Sequence, residues 1–316
     1  MASDRVMTPS GKTLSAAEMD LWVPTLAEAD VMDSTQASDA GGEPEEPDMA
    51  TQLATICDAL IDRYGGVILR GPPGTGKSHY ANQIAVGLTD GDEDRHFRVQ
   101  FHPSYQYEDF VEGYVPISEG EFALRDRTLK LACNVASAAP KDLVVLVIDE
   151  LSRVDCARVF GEAFTYIERT KRGMKCLLSS GSVLVVPKNL FIICTMNDRD
   201  AGVDTVDAAF ERRFAMVEVG PDARELVSIL SDSTLSSNTR SAVLSFFREA
   251  NAGVTGGIGL GHAYFYGVKT AEDLQRLWNH QLKFVVRRAL SLDPERFVQL
   301  NALWQTTVES PVSSSS

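Results

Sequence analysis

Apolar positions along the chain follow two periods. From Thr51 onward, Leu53, Ile56, Leu60 and Ile61 recur at helical spacing and Gly65-Gly66 ends the run, so the folded region opens with a helix. Five short apolar runs rich in β-branched residues follow, at 67–69, 97–101, 143–148, 190–194 and 214–219, each of strand length. Between them, helical spacing predicts helices at 77–88, 126–138 and 153–169. Strands alternating with helices indicate a parallel sheet covered on both faces. Residues 122–125 and 176–186 read instead as hairpin insertions. After Pro221 the strand signals stop, and helices are expected at 222–230, 239–250, 271–290 and 294–304, a small all-helical domain. No internal repeat is visible.

The first 50 residues lack either period. They are rich in Ala, Ser, Thr and Pro, end in an acidic Gly/Pro stretch, and bury little apolar surface, so they read as a mostly disordered leader. A short segment at 14–26, with Trp22 and Val23, is the part of it that could dock. The expected organisation is a leader at 1–50, an α/β core at 51–220, a helical domain at 221–310 and a disordered tail at 311–316.

Composition sharpens this only in places. With 44% hydrophobic and 23% charged residues, the 316-residue chain is of ordinary globular make-up. Its net charge of −14 disfavours a protein that coats nucleic acid or anionic membrane. The leader, with eleven acidic residues against two basic ones, carries −9 of that total, so the acidity says little about what the folded part binds. Five widely spaced cysteines without a CxxC pair read as reduced thiols, which fits a cytoplasmic protein. No signal peptide is recognisable, and no apolar run approaches the roughly 20 residues that span a bilayer, so no membrane partner is expected.

Three strand ends carry candidate chemistry. Gly71-Pro72-Pro73-Gly74-Thr75-Gly76-Lys77-Ser78 satisfies G-x-x-x-x-G-K-[ST] and sits between a strand and a helix, where such a loop cradles phosphates. The glycines free backbone N–H groups to face phosphate and the helix N-terminus adds partial positive charge. Lys77 would neutralise the β/γ-phosphates and Ser78 would ligate Mg²⁺, with His79 next in the first helical turn. The apolar strand 143–148 delivers Asp149 and Glu150 at its end: Asp149 can hold Mg²⁺ through water, and Glu150 can polarise the attacking water. Asn197 ends the next strand and either orients that water or simply forms a turn. Arg212 and Arg213 precede the last strand, as structural ion pairs or as fingers that reach a neighbouring subunit's nucleotide.

The order P-loop, Asp-Glu strand, strand-end Asn, paired Arg and helical lid resembles that of AAA+ ATPases. The run from Gln100 to Tyr114, reading QFHPSYQYEDFVEGY, is similar to the HPSYxYEDFVEG hallmark of the McrB-type branch, the NTP-driven motor subunits of modification-dependent restriction systems. Glu150-Leu151-Ser152-Arg153, Val159-Phe160-Gly161-Glu162 and Gly261-His262-Ala263-Tyr264-Phe265 resemble that branch's EINR, IFGE and GHSYF segments. His102 and His262 lie inside these motifs and are read as loop-structuring rather than metal-binding. The resemblance covers about residues 51–290. It implies a three-layer α/β/α P-loop core with a five-stranded parallel sheet, followed by a small all-α lid.

It also implies binding and hydrolysis of ATP or GTP with Mg²⁺ in a ring, a hexamer in the family's manner. A McrC-like nuclease is the implied partner, with DNA reached indirectly or through the ring pore. Two departures stand out. Where the family commonly has MNTADRS, a stretch associated with its use of GTP, this chain has Met196-Asn197-Asp198-Arg199-Asp200, two residues shorter, which leaves ATP against GTP open. Glu211 replaces the first arginine of the family's DxALRRRF pattern. A MoxR-like protein-remodelling chaperone is the alternative function.

Overall fold

The computed structural model of the protein describes residues 6–7, 13–14, 47–197, 210, 212–253 and 257–309. The chain divides into a unit up to Asp48 and a unit from Met49 onward. In the first, Val6–Met7 pairs antiparallel with Thr13–Leu14. The rest of the expected leader up to residue 46, the tail from 310, residues 198–209 and Glu211 lie outside the described residues.

The second unit opens with helix α1 (Met49–Leu60) and is built on five parallel strands: β1 (Gly66–Gly71), β2 (His96–Gln100), β5 (Val144–Asp149), β8 (Leu190–Asn197) and β9 (Ala215–Glu218). Their order across the sheet is β9-β1-β8-β5-β2. The intervening hairpins are β3 (Glu112–Ser118) with β4 (Glu121–Asp126), and β6 (Lys175–Leu177) with β7 (Val183–Val185), so both expected insertions are ribbons, the first longer than its sequence signal.

Side chains alternate across each strand, and both faces are apolar. Val67, Leu69, Val145, Val147, Phe191 and Ile193 pack on one side against α1 and against helix α2 (Lys77–Leu88), through Leu53, Cys57, Tyr80 and Ile84. Ile68, Leu146, Ile148, Ile192 and Cys194 face the other side, against Leu129 and Cys133 of helix α4 (Thr128–Ala138) and a ladder of aromatic rings. Those rings run Phe101, Phe110, Phe160, Phe210, Phe214, with successive centroids 4.5 to 5.5 Å apart. The HPSYxYEDF-like run thus supplies the start of the ladder, Phe101 and Phe110, with the short helix α3 (Tyr107–Phe110) between β2 and β3.

The helix expected at 153–169 is broken into α5 (Cys156–Phe160) and α6 (Ala163–Tyr166), flanked by single 3₁₀ turns. Its apolar periodicity is real, since Val159, Phe160, Ala163 and Ile167 are all buried. Gly161 interrupts it at φ +51°, where an added Cβ would lie 2.7 Å from the Tyr107 ring. The break is therefore what lets Tyr107 in.

Beyond β9, helices α7 (Ala223–Ser231), α8 (Ser237–Asn251), α9 (Ala271–Leu277), α10 (Lys283–Ala289) and α11 (Pro294–Glu309) enclose a separate core centred on Phe246, Trp278 and Trp304. The expected single helix at 271–290 is continuous but carries one π turn, Trp278–Leu282, between α9 and α10. That turn seats Trp278, which stacks on Trp304 at 4.9 Å. Among the described residues, no helix is long and apolar enough to cross a membrane.

Candidate nucleotide site

The strand register brings the predicted chemistry to one edge. Asn197 of β8 lies opposite Gly71 of β1, and Ile148 of β5 lies opposite Cys194 of β8, so Asp149 stands level with Thr195. Parity does the rest: Asp149, Thr195 and Asn197 continue the Val147 and Ile193 rows and therefore face the α2 side, where the P-loop lies.

In that loop Gly74 and Gly76 have φ of +78° and +79°, which any other residue would adopt only under strain. Thr75 Oγ1 closes the loop by donating to Pro72 O at 3.0 Å. Lys77 is buried and its ammonium donates to Gly71 O at 2.9 Å and Pro72 O at 2.7 Å. Gly76 precedes the 12-residue α2, whose N-terminal end carries partial positive charge toward the loop.

One oxygen of Asp149 organises the neighbouring acid pair. Ser78 Oγ donates to Asp149 Oδ1 at 2.7 Å, and Thr195 Oγ1 donates to the same oxygen. Thr195 Oγ1 in turn accepts the Glu150 N–H at 3.3 Å. Glu150 has the wrong parity for this site, because a regular strand would send it toward the aromatic face. Its backbone instead adopts φ +58°, ψ +44°, a left-handed conformation costing about 1–2 kcal/mol in a non-glycine residue. The turn places Glu150 on the wall of a cavity of about 270 Å³ shared with Pro73, Lys77, Ser78, Thr195 and Asn197. His79 also lines it. Arg153 Nε donates to Glu150 Oε2 at 3.1 Å.

This edge fits a Mg²⁺–polyphosphate. It offers two oxygens, Ser78 Oγ and Asp149 Oδ1, already 2.7 Å apart beside a lysine ammonium and a helix N-terminus. Mg²⁺ takes few protein ligands and completes its shell with phosphates and water.

The two arginines part company. Arg213 is buried, its guanidinium 4.3 Å over the Phe164 ring and 3.9 Å from Glu168. The Arg212 side chain is 65% exposed, with Glu168 at 3.7 Å. Neither lines the P-loop cavity of its own chain. Thr195 and Arg153 were not singled out as functional from the sequence. Thr195 could have been found by parity, as a hydroxyl two residues before Asn197 on the same face.

The helical domain is joined to the loop by backbone. Ala263 N–H donates to Gly74 O at 2.8 Å, and Gly261 lies so close that an added Cβ would sit 2.0 Å from the Gly74 carbonyl. His262 is buried, its Nδ1 accepting from Asp222 N–H at 3.2 Å, so its ring proton lies on Nε2, 3.3 Å from Tyr80 Oη of α2. Burial lowers the imidazole pKa from 6.5 to about 4. Both nitrogens are committed, so His262 structures its loop, as its motif suggested.

The AAA domain family (dynein-related subfamily) matches residues 66–214, from β1 to the edge of β9. The Type IV methyl-directed restriction enzyme EcoKMcrB subunit of Escherichia coli (strain K12) is 33% identical over 231 residues, 68% of this chain and 50% of that protein. The chain belongs to the McrB-type AAA+ proteins. The Type II restriction enzyme BsuMI component YdiS of Bacillus subtilis (strain 168) is 32% identical over 189 residues, 47% of this chain and 55% of that one. The chain spans about half the length of these curated relatives. It thus carries a P-loop AAA domain, and the McrB-type resemblance and the α/β AAA+ fold read from the sequence hold.

Two outcomes follow. Thr195→Val removes one donor to Asp149 and the acceptor of the Glu150 N–H, hydrogen bonds worth about 1.5–3 kcal/mol beside a charge. Phosphate release should fall about 10- to 100-fold with nucleotide affinity little changed; a wild-type rate would refute the positioning role. For His262, the unfolded imidazole binds a proton below about pH 6.5 that the folded ring refuses until about pH 4, so stability drops as pH falls through that window. Between pH 7 and 4.5 the loss is roughly 2–3 kcal/mol by urea unfolding, and His262→Gln should flatten it. An identical pH dependence in the variant would contradict this.

Proposed function

We propose that this McrB-type AAA+ protein hydrolyses ATP, or GTP, with Mg²⁺ in a ring of six copies, in the family's manner, and regulates or powers a McrC-like nuclease. The observation that carries the reading is the convergence of Lys77, Ser78, Asp149, Thr195, Glu150 and Asn197 on one strand edge. The restriction role is supported by the names of both relatives. Residues 51–220 would be the NTPase core and 221–310 its lid, with 1–50 and 311–316 as flanking segments.

In this reading the loop's N–H groups and the first turn of α2 receive phosphate oxygens. Lys77 exchanges its two carbonyl partners for β/γ-phosphate oxygens. Ser78 and Asp149 would hold Mg²⁺, which would neutralise charge developing on the phosphates. Glu150 accepts the proton of the attacking water and Asn197 orients that water. Arg212, exposed and absent from the lining of its own cavity, acts on the next copy's phosphates, while Arg213 braces it by packing on Phe164. DNA is reached through the ring pore or through the partner.

Phosphate release with ATP and with GTP, each with and without DNA and a McrC-like nuclease, decides nucleotide and partner. Lys77→Ala should abolish nucleotide binding. Glu150→Gln should bind normally and turn over at least 100-fold more slowly, and Arg212→Ala should bind but lose about 10³-fold in rate. A Glu150→Gln protein with near wild-type turnover would overturn the base assignment.

A further inference from the structure

The two hairpins are not used by the nucleotide site, yet they carry the most exposed apolar surface of the α/β part. In β3–β4, Tyr114 pairs with Leu124 and Pro116 with Phe122, so these four side chains share one face of the ribbon. Tyr114 and Phe122 are 65% and 66% exposed. Beyond them the turn presents Glu119 and Glu121 to solvent. A two-stranded ribbon is marginal in water unless something packs on it, and here one apolar face has no cover within the described residues.

The β6–β7 ribbon is its complement. Its inner face, Cys176 and Leu184, is buried in the core. Its outer face carries the cross-strand pair Leu177 and Val183, 70% and 51% exposed, with Lys175 beside Leu177 on the same face. Residues 112–126 hold four acidic side chains and one basic one, whereas residues 171–188 hold four basic side chains and no acidic one. Lys175 and Lys188 are exposed and have no ion pair among the described residues.

Within one copy the ribbons are locked side by side. Glu112, at the root of β3, accepts hydrogen bonds from Ser180 and Ser182 in the β6–β7 turn, the latter at 2.6 Å, and pairs with Lys130 at 2.7 Å. Ser179 of the same turn donates to Glu162. Turn and root are fixed to each other, while the two apolar faces remain open.

We propose that the apolar face of β3–β4 in one copy seats on the outer face of β6–β7 in the next, with Glu119 and Glu121 opposite Lys175 and Lys188. The inference rests on the ring reading and gives it a contact. Joining two different surfaces is head-to-tail, the kind of interface that closes rings rather than symmetric pairs. The acidic turn argues against nucleic acid as the occupant, because Glu119 and Glu121 would face phosphates.

The test is sedimentation velocity of the full chain with Mg²⁺ and a non-hydrolysable ATP or GTP analogue. Glu119→Lys/Glu121→Lys and Lys175→Glu/Lys188→Glu should each weaken assembly at least tenfold, and the four changes together should restore it to within threefold of wild type. A second readout avoids charge. The five native cysteines are buried, so oxidising a mixture of Tyr114→Cys and Leu177→Cys chains should give crossed dimers that neither variant gives alone. Wild-type assembly of Glu119→Lys/Glu121→Lys, as expected if a nuclease or DNA occupied the ribbon, overturns the contact. So does an assembled mixture that does not cross-link. A wild-type chain that stays monomeric with either analogue overturns the ring reading as well.

Discussion

The structure turns on the register and parity of three parallel strands. Because β1, β8 and β5 pair as they do, the odd-numbered row of each faces α2, with Gly71 level with Asn197 and Asp149 level with Thr195. The same alternation that buries Val147 and Ile193 therefore delivers a carboxylate and a hydroxyl beside the P-loop. One oxygen of Asp149 then gathers Ser78 and Thr195, and Thr195 gathers the backbone of Glu150. The left-handed turn at Glu150 exists because parity would otherwise send this acid to the wrong side. Its cost of about 1–2 kcal/mol is comparable to what the bonds at its base return.

The opposite face of the sheet serves a different end. The ladder from Phe101 to Phe214 makes one packed unit of the loop after β2, the broken helix pair α5–α6 and the arginine segment before β9. Arg213 is part of that packing, lying over Phe164, and this leaves Arg212 as the exposed member of the pair. The helical domain meets the P-loop through glycine backbones, Gly261 against Gly74, where no side chain would fit. The helical part and the P-loop thus meet by close backbone contact, and the arginine segment is held against the sheet by packed aromatic rings.

Much of this was legible in the sequence because strand order, burial and motif spacing speak through local pattern. The five strands, both hairpins, the P-loop and the Asp149–Glu150 pair needed only periodicity and residue type. What escaped depended on partners distant in sequence. The apolar spacing from 153 to 169 is helical, yet Gly161 interrupts the helix where only the absence of a Cβ leaves room for the Tyr107 ring. The stacking of Trp278 on Trp304 accompanies a π turn that periodicity does not reveal. The two arginines are adjacent and chemically identical, and only their packing separates a buried brace from an exposed side chain.

The central claim is that a nucleotide site built on one copy's strand edge is completed by Arg212 of the next. Mixing Arg212→Ala with Lys77→Ala chains tests it most directly. Each variant alone should release phosphate at background rates, whereas the mixture should regain activity, because intact P-loops then meet intact Arg212 side chains across copies. Background rates at every mixing ratio, under conditions where the two variants are shown to co-assemble, would contradict the account.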